Sequence, residues 1–328
     1  MQTVLITGLA GFVGSHLAEW FLKAGVRVLG IDDLSTGKLA NINHLRSKYD
    51  GQIKLVVSSC AKRRVIENMV IDSDAVFHLA AVVGVKRVME NPVHTIEAMR
   101  DASGTVFQLC AEYQKRLIFT STSEVYGANP APEFREDMDC IIGPSTKARW
   151  CYAAAKLMDE FLALGMHRHL GLPITVVRLF NTIGPRQTGQ YGMVVPTFIH
   201  QAREDKPCTV FGDGSQSRCF TWVGDVVDCI VRLAENDAAI GEVINIGSTE
   251  AWRIEDLALH IQRQVGRDPQ CVYKSYAEVY GEDFADMPHR KPNVEKLRGL
   301  IGCVPETPLA DSIRMILEHK TMTCCEKS

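Results

Sequence analysis

No run of apolar residues in this sequence approaches the roughly 18–20 that a membrane-spanning helix requires. Charge of one sign is also lacking. Lys and Arg number 36 against 39 Asp and Glu, and a net charge of -3 gives no bulk attraction to nucleic acid or an anionic membrane. An anionic ligand must then be held by a few placed arginines and helix ends. The 11 cysteines are odd in number and show no CxxC spacing, so neither a disulfide framework nor a zinc ribbon is expected. They read as reduced cytosolic thiols, many in core positions, with Cys324 and Cys325 in a frayed end. His167 and His169 are two apart and would point in different directions on a helix, so no metal site is expected. Met1 and Gln2 run straight into an apolar strand, which argues against a secretory leader and for a cytoplasmic protein. No repeat or low-complexity stretch appears.

What is present is a first half that alternates short β-branched runs with helical patterns. Residues 3–7, 26–31, 53–57, 75–79, 116–121 and 174–179 read as buried strands, with amphipathic segments such as 15–24 between most of them. Continuous apolar strands alternating with helices predict a parallel sheet covered on both faces, an α/β doubly wound Rossmann-type fold. Ligands are expected at the carboxyl ends of its strands. After Pro185 the chain becomes turn-rich, mixing helices near 226–235 and 254–265 with isolated strands such as 243–246. This predicts a dinucleotide-binding domain over 1–185 and a smaller α/β substrate lobe over 186–328, with more than one crossing between them allowed.

Gly8, Gly11 and Gly14 fall between the first strand and the first helix. Glycines there permit a tight turn, close approach to a pyrophosphate and tight helix–sheet packing, and the helix start offers free N–H groups to phosphate. The next strand ends in Asp32-Asp33. A carboxylate at that place binds the adenosine ribose hydroxyls and repels a 2′-phosphate, which favours NAD over NADP. Asp32 is the first choice for that ligand and Asp33 the alternative.

Tyr152 and Lys156 are four apart in a segment of high helix propensity, so they share a helix face. A phenol with a pKa of about 10 is a poor base alone. A neighbouring ammonium and a nicotinamide cation bring it toward the working range. The pair follows a strand that ends in Thr122-Ser123-Glu124.

Gly8/Gly11/Gly14, Phe77-His78-Leu79-Ala80-Ala81, residues 121–127, Tyr152/Lys156 and Arg178-Leu179-Phe180-Asn181 together resemble the extended short-chain dehydrogenase/reductase family. The group resembled is its nucleotide-sugar epimerases, dehydratases and decarboxylases, and the likeness runs from residue 1 to about 318. The resemblance implies bound NAD, held by Gly8, Gly11, Phe12, Val13, Gly14, Asp32, Leu79, Ala80, Ala81, Tyr152 and Lys156. It implies that Tyr152 takes the proton from the sugar 4-hydroxyl while hydride leaves C4. Lys156 would bind the nicotinamide ribose and tune Tyr152, and Thr122 would hydrogen-bond the reacting oxygen. Two departures stand out. The family's aspartate near the adenine is replaced by Ser58-Ser59-Cys60, and its Asn-Val-x-Gly-Thr element reads Asp101-Ala102-Ser103-Gly104-Thr105.

Thr122-Ser123-Glu124, with Arg149-Trp150 ahead of Tyr152, looks like the UDP-glucuronate decarboxylases. Oxidising C4 of a glucuronate makes a β-keto acid that loses carbon dioxide, and Glu124, or Ser123 through water, would protonate the resulting enolate. Arg218 and Arg290 fit positions that hold the nucleotide diphosphate, the latter also near the sugar. Asn181 is expected on a phosphate or the sugar, Tyr191 and Val194-Val195-Pro196 beside the substrate, and Val210-Phe211 against the base. The readings left open are a UDP-hexose or UDP-hexuronate 4-epimerase, a 4,6-dehydratase, a reductase of a neutral substrate, and a catalytically inactive dinucleotide sensor. The family likeness also implies a homodimer built on the Tyr152 helix and the helix near 104–113.

Overall fold

The computed structural model describes residues 1–81, 91–189, 193–276, 278 and 290–319. Its strands form where β-branched residues are covered on both faces. In chain order the sheet half contains β1 Thr3–Thr7, α1 Phe12–Lys23, β2 Arg27–Asp32, α2 Ala40–Lys48, β3 Ile53–Val57 and α3 Arg63–Ile71. It continues with β4 Ala75–His78, α4 Pro92–Glu112, β5 Arg116–Thr122, α5 Cys151–Leu170 and β6 Ile174–Leu179. Then follow β7 Thr182–Ile183, α6 Val194–Arg203, β8 Cys208–Phe211, β9 Ser217–Cys219, β10 Thr221–Trp222 and α7 Val223–Ala234. The chain closes with β11 Val243–Ile246, β12 Ala251–Arg253, α8 Ile254–Gln264, β13 Cys271–Lys274, α9 Glu295–Ile301 and α10 Leu309–Glu318.

The main sheet has seven parallel strands in the order β11-β6-β5-β4-β1-β2-β3. The chain winds outward through β2 and β3, then returns to β4 on the other side of β1. Loops leaving β1 and β4 therefore diverge and open a crevice at the strand carboxyl ends, as expected for a doubly wound sheet. Leu17, Phe21, Val226 and Ile230 cover one face, and Ile66, Val106, Phe107 and Ala163 cover the other. Local chemistry sets the helix ends. Asn91 caps α4 by accepting the His94 N–H at 3.2 Å, with Pro92 in the first turn. Gly171 ends α5 in the left-handed region, where a side chain would be strained.

One sequence expectation is corrected. Val243–Ile246 is no isolated strand of the second lobe but the seventh strand of the main sheet, parallel to β6. Its run of apolar residues needs two covered faces, and α7 beside it packs on α1. The chain thus returns to the sheet after residue 185. The first helix also begins at Phe12, three residues before the expected start, which places its free amides in the glycine turn. The remaining strands form three small pairs, β7 with β10, β8 with β13 and β9 with β12, and the second lobe has a separate core that includes Val195, Phe198, Leu257 and Ile313. Among the described residues, no helix is long and apolar enough to cross a membrane.

Candidate active site

A cavity of about 850 Å³ opens at the carboxyl ends of the sheet strands and extends under the second lobe. Gly8, Gly11, Phe12, Val13, Gly14, Asp32, Leu79, Ala80 and Ala81 line its sheet end. Thr122, Ser123, Glu124, Tyr152 and Lys156 line its middle, and Asn181, Val195, Arg218 and Arg290 line the rest. Residues scattered over most of the chain are thus brought onto one surface. Tyr191, Cys324 and Cys325 lie outside the described residues. Of the pair expected at a base, Phe211 borders the cavity, while Val210 is buried in the second core.

The glycine turn has the shape a dinucleotide needs. Gly8 sits at φ +73°, and a Cβ on Gly14 would fall 2.1 Å from the Gly8 carbonyl oxygen. Any side chain at Gly14 would push the helix off the turn. The first helical hydrogen bond runs from the Ser15 N–H to the Gly11 carbonyl, so the amides of Phe12, Val13 and Gly14 are those a helix start leaves without an intrahelical partner. These amides and the partial positive charge of the helix end suit a pyrophosphate. At the end of β2, the Asp32 carboxylate accepts N–H bonds from Ala10 (2.9 Å) and Leu34 (2.8 Å), which ties it to the same turn. Burial raises its pKa, and these amides work against that rise. Asp33 instead accepts from Ser35 in its own turn. The cavity wall beyond them is Ser58, Ser59 and Cys60. Burial pushes the Cys60 thiol up to about 12, so it is neutral there.

Tyr152 and Lys156 enter from the first turns of α5, one turn apart and on one face as the spacing predicts. Tyr152 meets the Thr122 side chain. Burial raises the phenol pKa, and the Glu124 charge raises it further. Lys156 does not act on it in this geometry; its Nζ donates to the Thr120 carbonyl at 2.9 Å and lies over the Phe119 ring. Burial lowers the Lys156 pKa to about 8, against the pull of Asp159 and Glu160. The expected tuning of Tyr152 therefore requires the lysine to turn from Thr120 toward the cavity, or a second cation beside the phenol.

Glu124 follows Thr122 in a short 3-10 turn, Ser123–Tyr126, whose start is fixed by the Glu124 N–H on Thr122 Oγ1. Its carboxylate is clamped between two guanidiniums, Arg149 at 2.5 Å and Arg290 at 2.5 Å. Burial alone would raise its pKa, but Arg290 and then Arg149 hold it at about 2. An ionised carboxylate has no proton to give, so this arrangement favours Ser123 through water, the other donor expected from the sequence. Its part is to seat two arginines. Arg290 is accordingly placed on Glu124, near the reacting end. In the sequence Arg149 stands out only as part of a likeness, since nothing in spacing links it to Glu124 or Arg290. Arg218, on β9, lies deeper in the second lobe. Asn181, at φ +29°, donates to the Cys219 carbonyl and joins the end of β6 to that lobe.

Behind this surface Arg178 forms a buried ion pair with Glu160 at 2.7 Å, and the Ser121 hydroxyl donates to the same carboxylate. The pair ties α5 to β5 and β6, fixing Tyr152 relative to Thr122.

A glycine-cornered turn on the first strand of a doubly wound sheet, facing a tyrosine and lysine one helical turn apart, defines a short-chain dehydrogenase/reductase. Within that class the chain belongs to the NAD dependent epimerase/dehydratase family, whose model matches residues 4–247. It is 40% identical to the UDP-N-acetyl-alpha-D-glucosaminuronate decarboxylase of Bacillus cytotoxicus, over 96% of each chain. It is 32% identical to UDP-glucuronic acid decarboxylase 1 of Arabidopsis thaliana, over 97% of this chain and 69% of that one. Among solved structures it is similar to the UDP-glucuronic acid 4-epimerase of Bacillus cereus in complex with UDP-glucuronic acid and NAD. That likeness has a TM-score of 0.85 at 28% identity, covering 95% of this chain and 97% of the other.

Proposed function

We propose that this NAD-dependent enzyme decarboxylates a UDP-linked hexuronate. The observation that carries the reading is the Arg149–Glu124–Arg290 array beside Tyr152. Guanidiniums held in this place by Glu124 have the planar fork that receives a carboxylate, and a sugar carboxylate is the anion that suits them. A neutral hexose offers nothing there. NAD, when bound along the glycine turn with Asp32 on its ribose, supplies a hydride acceptor at C4 that returns the hydride later.

Tyr152 takes the O4 proton as the C4–H bond breaks, with Thr122 holding that oxygen. The ketone at C4 makes the carboxylate β to it labile. The C5–C6 bond then breaks, carbon dioxide leaves, and its bonding electrons remain as the C4–C5 enolate. A proton must reach C5, and with Glu124 ionised the remaining donor is a water held by Ser123. On re-reduction Tyr152 gives its proton back to O4. The net change is uptake of one proton and loss of carbon dioxide. Asn181, Val195 and Arg218 are assigned to the nucleotide diphosphate and its surroundings.

Incubation with UDP-glucuronate and its 2-acetamido counterpart, followed by mass spectrometry, tests the reading. Loss of the mass of carbon dioxide is expected from at least one of them. A product of unchanged mass with a new C4 configuration would overturn it in favour of hexuronate 4-epimerisation. That second reading draws on the Bacillus cereus neighbour, whose substrate also carries a carboxylate.

A homodimer and a cytoplasmic location complete the proposal. Helices α4 and α5 pack side by side and leave Val93, Ile96, Met158, Phe161 and Leu162 exposed, an apolar face that suits a second copy. Light scattering is expected to give twice the chain mass at micromolar concentration; a monomer there would end the dimer proposal. The nine described cysteines are free thiols, which supports a reducing compartment.

A further inference from the structure

Behind the reacting groups runs a buried chain of hydrogen bonds that the mechanism above leaves unused. It starts at Thr7, immediately before Gly8. Thr7 Oγ1 accepts the Ala80 N–H at 3.1 Å and meets His78 Nδ1 at 2.8 Å. Across the imidazole, His78 Nε2 is 3.3 Å from Ser103 Oγ, and Ser103 donates to Asp159 Oδ2 at 2.7 Å. All four side chains are buried. Asp159 follows Lys156 by three residues on α5, so the two share a helix face. Its other oxygen, Oδ1, is buried without a hydrogen-bond partner.

The chain has one consistent direction. Ala80 N–H donates to Thr7, the Thr7 hydroxyl to His78 Nδ1, His78 Nε2–H to Ser103, and Ser103 to the carboxylate. Reversed, the Thr7 hydroxyl proton would have no acceptor among the described residues. In the forward direction the Asp159 oxygen accepts, and accepting this bond favours the ionised form, as the neighbouring Lys156 does. Burial raises the Asp159 pKa, and Lys156 and the Ser103 bond oppose it.

The charges that act on Lys156 come from three elements. From α5 come Asp159 and Glu160, from the segment after β3 comes Cys60, and from β4 comes His78. Glu160 is already neutralised by Arg178. Cys60 is a neutral thiol, and burial holds His78 near 3, so it too is neutral. Among the described residues that act on Lys156, Asp159 is the negative charge left over.

We propose that Asp159 is a positioning residue for the reaction, its carboxylate held ionised by the Thr7–His78–Ser103 chain and in turn holding Lys156 as an ammonium in the cavity. The proposal rests on the functional reading above only in giving Lys156 a part in the chemistry. It also ties the strand that carries the glycine turn to the charge of the lysine.

The test is competitive acetylation of the protein with acetic anhydride across a pH series, with the Lys156 peptide read by mass spectrometry and no substrate added. Asp159→Asn is expected to lower the Lys156 midpoint by about one pH unit or more, as for loss of a nearby opposite charge. Ser103→Ala is expected to move it the same way by less. An unchanged midpoint in folded Asp159→Asn protein overturns the proposal. If that variant does not fold, an unchanged midpoint in Ser103→Ala does so. In turnover, the alkaline limb of kcat is expected to move to lower pH in the variants. A loss equal at every pH would mark a packing role and overturn it as well. Because the labelling uses no sugar nucleotide, failure of the decarboxylase reading leaves this result independent.

Discussion

Tyr152→Phe is expected to lower kcat by about 10³-fold, in the range for removal of a positioned acid–base group and equivalent to about 4 kcal/mol of barrier. The substitution removes one oxygen and leaves the ring, so α5 and the cavity wall keep their shape. Affinity for NAD and for the sugar nucleotide should stay within a few-fold, because the phenol oxygen is the reacting atom rather than a main binding contact. The size of the effect follows from the surroundings. Burial and Glu124 raise the phenol pKa, so in this site water is no substitute base and the hydroxyl acts only when cations lower it. Lys156, with a pKa of about 8, becomes one such cation once it turns from Thr120 toward the cavity. Its charge is present below that value and lost above it, so wild-type kcat is expected to fall as pH rises through about 8. Absorbance of reduced nicotinamide after mixing with substrate checks the variant directly. Undiminished formation in Tyr152→Phe would remove Tyr152 from the chemistry.

Much of this site is legible in the sequence because its motifs are local. Gly8, Gly11 and Gly14 lie within one turn, Tyr152 and Lys156 within one helical turn, and each follows a strand that reads as buried. Placing each motif at a strand end then brings them to one crevice without further information. What cannot be read is pairing between distant segments. Arg149 and Arg290 meet on Glu124 from two separate segments of the chain, and no periodicity links them. The Thr7–His78–Ser103–Asp159 chain draws one residue from each of four elements, and its members look like ordinary polar residues in apolar runs. Even Ser103, visible as a departure from the family's Asn-Val-x-Gly-Thr element, gave no sign of its partners. The misplacement of β11 has the same origin, since a four-residue strand with three apolar residues does not say which sheet it completes. Glu124 shows the electrostatic side of the same limit: a residue's type suggests its chemistry, but its neighbours set its charge.

Arg290→Gln is expected to weaken binding of a UDP-hexuronate by about 10²-fold, the scale for truncating one member of a buried, hydrogen-bonded charge pair. In the wild type the array holds two guanidiniums and one carboxylate, with Glu124 and Arg149 buried and Arg290 partly so. Taking a substrate carboxylate out of water is unfavourable unless a matching cation receives it. With Arg290 removed, an arriving carboxylate loses one of the two guanidiniums that could receive it, and one positive charge is gone from beside Glu124. Glutamine keeps much of the volume and can still donate to Glu124, so the 3-10 turn should hold its shape and Tyr152 its place. A UDP-hexose without a carboxylate should bind the variant nearly as well as the wild type. Calorimetric titration of both ligands separates the alternatives. Loss confined to the hexuronate ties Arg290 to the sugar carboxylate and the site to acidic sugars. Equal loss for both ligands would mean that Arg290 grips the diphosphate, and the charge array would then no longer support decarboxylation over the chemistry of neutral sugars.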